Sequence, residues 1–157
     1  MLELELDTEV STLALARSLA AVLEGGDVIG LEGGLGAGKT TFARGALHGL
    51  GVPEDTAVTS PTFALLHHYE GRLPIAHADF YRLTDEVELG ELGVDELVED
   101  GAVLLVEWGR KFPGMASRTV LWVELEIVSE VARRVRLRPQ GSRGDEIIGA
   151  LGKRVRS

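Results

Sequence analysis

Residues 27–45 read DVIGLEGGLGAGKTTFARG, and this stretch decides the architecture. Residues 27–32 form a short apolar strand that runs directly into glycines. Gly33-Gly34-Leu35-Gly36-Ala37-Gly38-Lys39-Thr40 then satisfies the full G-x-x-x-x-G-K-T phosphate-loop pattern. Each part has a physical job. Glycines let the backbone take positive φ and wrap closely round oxygens with no Cβ in the way. Successive N–H groups turned inward make a concave anion site. A helix over residues 40–50, stopped by Gly51 and Pro53, starts at the loop and turns its positive end towards the phosphates. Lys39 is a compact charge able to reach the β and γ phosphates, and Thr40 offers a hydroxyl to Mg²⁺. The chain has only three lysines, Lys39, Lys111 and Lys153, and one stands where this loop needs it.

A hydrolytic site of this kind also needs a carboxylate near the metal and a group that orients the nucleophile. In an α/β sheet both belong at the carboxyl ends of neighbouring strands. Asp79 closes the run PIAHADF at residues 74–80, and Glu107 closes AVLLVE at 102–107. These two carboxylates, with Thr40, are the expected metal-side residues, and Asp79 and Glu107 the expected catalytic ones. Trp108 follows Glu107 and either packs over the site or joins the core. His77 shares a strand face with Asp79; a structural histidine is expected there ahead of a site contact. Thr59-Ser60-Pro61-Thr62 is a hydroxyl-rich loop, readable as a γ-phosphate sensor or as a plain turn. His67 and His68 lack a partner spacing that would bind metal.

Outward from this centre, helices and strands alternate early and strands dominate late. Residues 2–6, LELEL, read as a strand with one wet face. A helix capped by Asp7 or Thr8 runs to about residue 23, with Val10, Leu13, Leu19 and Val22 towards the core. Residues 63–69 and 74–80 form a hairpin turned at Gly71-Arg72. The acidic stretch 84–100 is one or two short helices broken near Gly90 and Gly93, and 102–107 is a buried strand. Residues 120–127 and 135–138 alternate like antiparallel strands. A last helix from 144 to 151 frays into a basic tail. The expected fold class is α/β: one P-loop domain over residues 1–157, a three-layer sandwich whose central, mostly parallel sheet carries antiparallel C-terminal strands.

The bulk numbers agree with one domain of 157 residues, 45% of them apolar. With no cysteine there is no disulfide framework. No apolar run approaches membrane-spanning length, and the acidic start MLELELDTEV is unlike a secretory signal, so a cytoplasmic protein without membrane contact is expected. The net charge of -9 argues against autonomous nucleic-acid binding. The charge is uneven: residues 85–100 hold eight acids and no base, whereas 133–156 hold eight bases and two acids. Each stretch is a solvated face or a docking surface.

Taken together, LEGGLGAGKTTFARG (residues 31–45), VTSPTF (58–63), HADFYRL (77–83), ELGELGVDE (88–96) and VEW (106–108) resemble the TsaE (YjeE) family of small ATPases in bacterial tRNA threonylcarbamoyladenosine (t6A) biosynthesis. The resemblance covers about residues 8–108. It implies ATP hydrolysis with Mg²⁺, weak in isolation and stimulated in a complex with TsaB and TsaD, which modify A37 of tRNA. Contact with tRNA would be indirect, through that complex. It implies that Lys39 binds phosphate, that Thr40 and Glu107 hold Mg²⁺, and that Thr41 sits on the α-phosphate side. Asp79 would act in hydrolysis or metal placement, and Trp108 near the nucleotide. The adenine side falls to Thr8, Glu9 or Thr12, with Thr12 assigned; a late arginine, Arg133 or Arg134, with Arg134 assigned, completes the site. Two departures stand out: relatives often have Gly-Asp where this chain has Gly33-Gly34, and proline where it has Gly109. The competing readings are a small P-loop metabolite kinase and a nucleotide-dependent switch without useful hydrolysis.

Overall fold

The computed structural model describes residues 1–61 and 63–156, the last by its backbone alone; Thr62, from the hydroxyl-rich loop, and Ser157, from the basic tail, lie outside the described residues. The first strand, β1 (Leu2–Leu6), alternates as its sequence requires: Leu2, Leu4 and Leu6 pack inward while Glu3 and Glu5 face solvent. Helix α1 (Glu9–Ala20) starts at Thr8, whose hydroxyl accepts from Ser11 N–H at 3.2 Å. Thr12, Leu15, Ala16, Leu19 and Ala20 make its buried face. Val10, expected in the core, is exposed, because it lies roughly 200° round the helix from Thr12. Strand β2 (Val28–Glu32) feeds the phosphate loop, and α2 (Lys39–Gly49) follows. The two helices pack closely at Gly45, where a Cβ would meet that of Ala16 at 2.8 Å.

The hairpin is β3 (Leu66–Glu70) and β4 (Pro74–Asp79). Its first strand starts three residues later than the sequence predicts. Leu65 takes φ 68, a left-handed turn that ends any extended run from Phe63. The acidic stretch divides into α3 (Glu86–Glu91), capped by Asp85, and α4 (Val94–Glu99), which begins at Gly93. Strand β5 (Val103–Glu107) leads into a 3-10 turn (Gly109–Lys111) and α5 (Pro113–Arg118), two elements with no sequence expectation. Strands β6 (Leu121–Ile127) and β7 (Arg133–Pro139) pair as a hairpin, and α6 (Gly141–Arg156) closes the chain as a helix longer than expected.

The sheet order is β1-β7-β6-β2-β5-β4-β3. Strands β6, β2, β5 and β4 are mutually parallel; β7 runs opposite to them between β6 and β1, so β1 pairs antiparallel with β7 yet points the same way as the centre, and β3 runs antiparallel at the other end. One face is covered along most of its width by α1, α2 and α6 over Ile29, Leu31, Leu105, Val123 and Val135. On the other face α3, α4 and α5 pack over Ala76, Ala78, Leu104 and Val106. Beyond them, the outward positions of β1, β7 and β6 carry Trp122, under the Arg110 guanidinium, and a ladder of ion pairs: Arg134 to Glu5 at 2.8 Å, Arg136 to Glu3 at 2.9 Å, and Arg138 to Glu124 at 2.7 Å. Three layers therefore exist over the parallel centre and two over the antiparallel end. The basic excess of that end is neutralised by neighbouring strands, and Arg143 is paired with Asp27 at 2.7 Å.

Candidate functional site

The phosphate loop joins the carboxyl end of β2 to the amino end of α2. Gly36 (φ 79) and Gly38 (φ 106) take left-handed backbone that a Cβ would strain, and Gly38 is the residue from which the helix starts. Its carbonyl accepts from Phe42 N–H at 2.8 Å. The first N–H groups of α2 have no intrahelical acceptor, so they face the loop's concave side as anion donors.

Register then sets the carboxylates. Asp79 is paired with Glu107 across β4–β5, and Glu107 with Leu31 across β5–β2, so both acids end their strands level with the loop. Both are buried. A cavity of about 770 Å³ opens here, lined by loop residues Gly34 to Thr41 and by Asp79, Glu107 and Trp108. Gly33 stands behind the loop, where its carbonyl accepts from Lys39 Nζ at 2.8 Å. The same ammonium lies 4.0 Å from Glu107 Oε1 and 4.9 Å from the Trp108 ring centre. Trp108 holds φ 63, and this turn out of β5 lays its ring beside Tyr81, 5.0 Å between centroids. Asp79 Oδ1 accepts from Tyr81 N–H at 2.9 Å, a turn that aims the carboxylate with its own backbone. His77 is fully buried, and its Nε2 lies 2.9 Å from Glu107 Oε2. The expected structural histidine is thus in contact with a site carboxylate.

Besides Gly33, two expected residues lie outside the cavity, Arg134 and Thr12. Arg134 points to the solvent face and pairs with Glu5; it is Arg133 that lines the cavity, donating from Nε to Ala37 O and from Nη2 to Gly36 O, each at 3.1 Å. Strand parity is the reason, since Arg133 shares the inward face with Val135 and Leu137, while Arg134 shares the outward one with Arg136. Thr12 is buried in α1 and is not among the cavity residues. Thr8 caps its helix and Glu9 pairs with Arg44 at 2.7 Å, so neither reaches the cavity. Two further lining residues, Ser60 and Tyr81, carried sequence signals. Ser60 belongs to the hydroxyl-rich loop, and Tyr81 is an aromatic two residues beyond Asp79.

Behind the loop, burial pushes the Glu32 carboxyl above its usual range; Arg110 and Lys39 pull it down, and Glu124 adds to the rise. Arg110 Nε stands 3.4 Å from Glu32 Oε1, an ion-pair distance that leaves this oxygen without a hydrogen bond among the described residues. On the cavity side the donors near Lys39 are the Thr40 hydroxyl and the Asp79 and Glu107 carboxylates. That all-oxygen set suits a hard divalent cation such as Mg²⁺ and not a soft metal.

A glycine-rich loop between a parallel strand and its helix, with carboxylates ending the next two strands of the sheet, β5 and β4, defines a P-loop α/β protein. A family model described as threonylcarbamoyl adenosine biosynthesis protein TsaE matches residues 6–135. The chain belongs to the TsaE family. A relative from Bacillus subtilis named tRNA threonylcarbamoyladenosine biosynthesis protein TsaE is 37% identical over 143 residues, 90% of this chain and 88% of its own. One of the same name from Aquifex aeolicus is 37% identical over 136 residues, 86% of this chain and 94% of its own. The crystal structure of YdiB from Bacillus subtilis matches with a TM-score of 0.80 at 30% identity, over 98% of this chain and 95% of that one.

Proposed function

We propose that this chain binds ATP with Mg²⁺ and hydrolyses it, as the ATP-driven subunit of the machinery that installs t6A at A37 of tRNA. The observation that carries the reading is the convergence of Lys39, Thr40, Asp79 and Glu107 on one cavity at the start of α2. The family and the names of its relatives supply the pathway.

The loop N–H groups and the Lys39 ammonium hold the β and γ phosphates and neutralise charge that builds on the transferring group. Thr40, Asp79 and Glu107 hold Mg²⁺, which when bound supplies Lewis-acid neutralisation of the phosphate oxygens. Asp79, aimed by the Tyr81 amide, orients the attacking water. Arg133, on the cavity wall, fixes the loop through the Gly36 and Ala37 carbonyls. Trp108 and Tyr81 wall the open side. TsaB and TsaD are the partners that fit the pathway, and tRNA contact runs through them. The net charge of -9 and the internal pairing of Arg134, Arg136 and Arg138 favour that indirect role. Among the described residues no helix is long and apolar enough to cross a membrane, which accords with work in the cytoplasm.

A metabolite kinase would place arginines over the γ-phosphate from a lid. Residues 84–100 contain no arginine, and none of them lines the cavity. The deciding experiment is ATP turnover with Mg²⁺, alone and with TsaB and TsaD. Slow turnover alone and faster turnover with partners is expected. Transfer of the γ-phosphate to a small molecule, with no stimulation, would overturn the reading.

A further inference from the structure

We infer that His77 is a positioning residue for Glu107: its imidazole holds one carboxylate oxygen so that the other is presented to the cavity. The inference rests on the nucleotide-site reading above and extends it below the cavity floor. His77 sits in the middle of β4 between Ala76 and Ala78, on a fully buried position of the inward sheet face. On that face Ile75 and Leu105 beside it are aliphatic, and His67 is its cross-strand partner on β3. An imidazole there costs more to bury than a valine or leucine unless its polar atoms are satisfied. Only half of them are. Nε2 meets Glu107 Oε2 at 2.9 Å, and Nδ1 has no hydrogen-bond partner among the described residues. The contact with Glu107 is thus the one thing an imidazole provides that an aliphatic side chain would not.

The same geometry fixes the direction of the bond. A proton on Nδ1 would be buried with no acceptor and would leave the Nε2 lone pair against a carboxylate oxygen. The proton therefore sits on Nε2, which donates to Glu107. Glu107 is left with two oxygens in different roles. Oε2 is tied down to the sheet, and Oε1, 4.0 Å from Lys39 Nζ, is the one on the loop side. A carboxylate on a strand end has rotamers to choose between, and a buried donor selects one before any ligand arrives.

The test compares two amides of different reach. His77→Gln carries its N–H₂ near the position of Nε2, and His77→Asn carries it near Nδ1, short of Glu107. ADP affinity is measured by calorimetry in the full chain, first without metal and then at stepped MgCl₂. With wild-type protein binding ADP and responding to Mg²⁺, the Gln variant is expected to keep the wild-type Mg²⁺ midpoint within about twofold. The Asn variant should move it roughly tenfold upward, with metal-free ADP affinity unchanged in both. Equal midpoints in the two variants, or a matching loss of metal-free affinity, would overturn the inference. A wild-type protein that binds no nucleotide would instead overturn the function proposed above. A second measurement uses wild-type protein alone: the imidazole ¹⁵N spectrum is expected to show His77 protonated on Nε2 only, and a proton on Nδ1 would overturn the assignment even if the Asn variant fails to fold.

Discussion

Glu32 stands at the end of β2, directly behind the phosphate loop, with one oxygen buried and Arg110 as its counter-charge. Burial is the largest influence on it, so the folded protein holds the Glu32 proton more tightly than the unfolded chain does. A carboxyl raised on folding contributes most at pH below its unfolded value, about 4.3, and that contribution is lost as pH rises through the folded value. At neutral pH the buried charge is a cost, and Arg110, itself half-exposed, offsets it only in part. Glu32→Gln is therefore expected to melt at or above the wild-type temperature at pH 7, with the gap closing as pH falls to about 4. Melting curves at the two pH values check this; a clearly lower melting temperature at pH 7 would show that Arg110 outweighs burial. Arg133 carries the second residue-level point. Its inward direction was legible in the alternation of RRVRLRP, because Val135 and Leu137 mark the core face and Arg133 lies on it.

Among the elements, α6 depends most on one pairing. Asp27 accepts from Arg143 Nε at 2.9 Å and Nη2 at 2.7 Å, and also from Glu24 N–H at 2.8 Å. Arg143 Nη2 donates to Val22 O at 2.9 Å as well, so one guanidinium ties α6 to the turn after α1 and to the start of β2. Asp27 is buried. Removing it leaves the Glu24 amide and the guanidinium without their shared acceptor. Asp27→Ala is expected to lower unfolding free energy by about 2 kcal/mol, read from urea unfolding monitored by circular dichroism. A loss under about 0.5 kcal/mol would mean that α6 is held mainly by its apolar face, Ile147, Ile148 and Leu151. This clamp joins residues far apart in the chain, and nothing in the local pattern around Arg143 pointed to it. The short α5 went unread for another reason: after Trp108 the chain has Gly109, Pro113 and Gly114, whose signals are those of a loop.

For the whole molecule, a ligand that binds only the folded state raises its stability by mass action, about 2.7 kcal/mol at a hundredfold excess over Kd. In a domain of this size that corresponds to a rise in melting temperature of roughly 5–10 °C. ATP with Mg²⁺ is expected to give such a rise in wild-type protein and none in Lys39→Ala, in which the cavity loses its central cation. Equal shifts in the two proteins would place the nucleotide elsewhere. The strand order puts the loop, both carboxylates and Trp108 at one edge of the parallel centre, while the ion-pair ladder of β1, β7 and β6 occupies the opposite face of the antiparallel end.

The sequence by itself determined the phosphate loop, the strand before it, the helix after it, and two carboxylates at strand ends. Those features rest on short-range rules: glycine's backbone freedom, the period of apolar residues, and the position of an acid after an apolar run. Tertiary structure alone decided that Asp79 and Glu107 stand side by side and that His77 reaches Glu107 across the β4–β5 register. It also decided that Thr12 is buried in α1 without lining the cavity. Those outcomes depend on which strands become neighbours and in what register, and that choice is made by burying whole faces together, not by any residue's local preference.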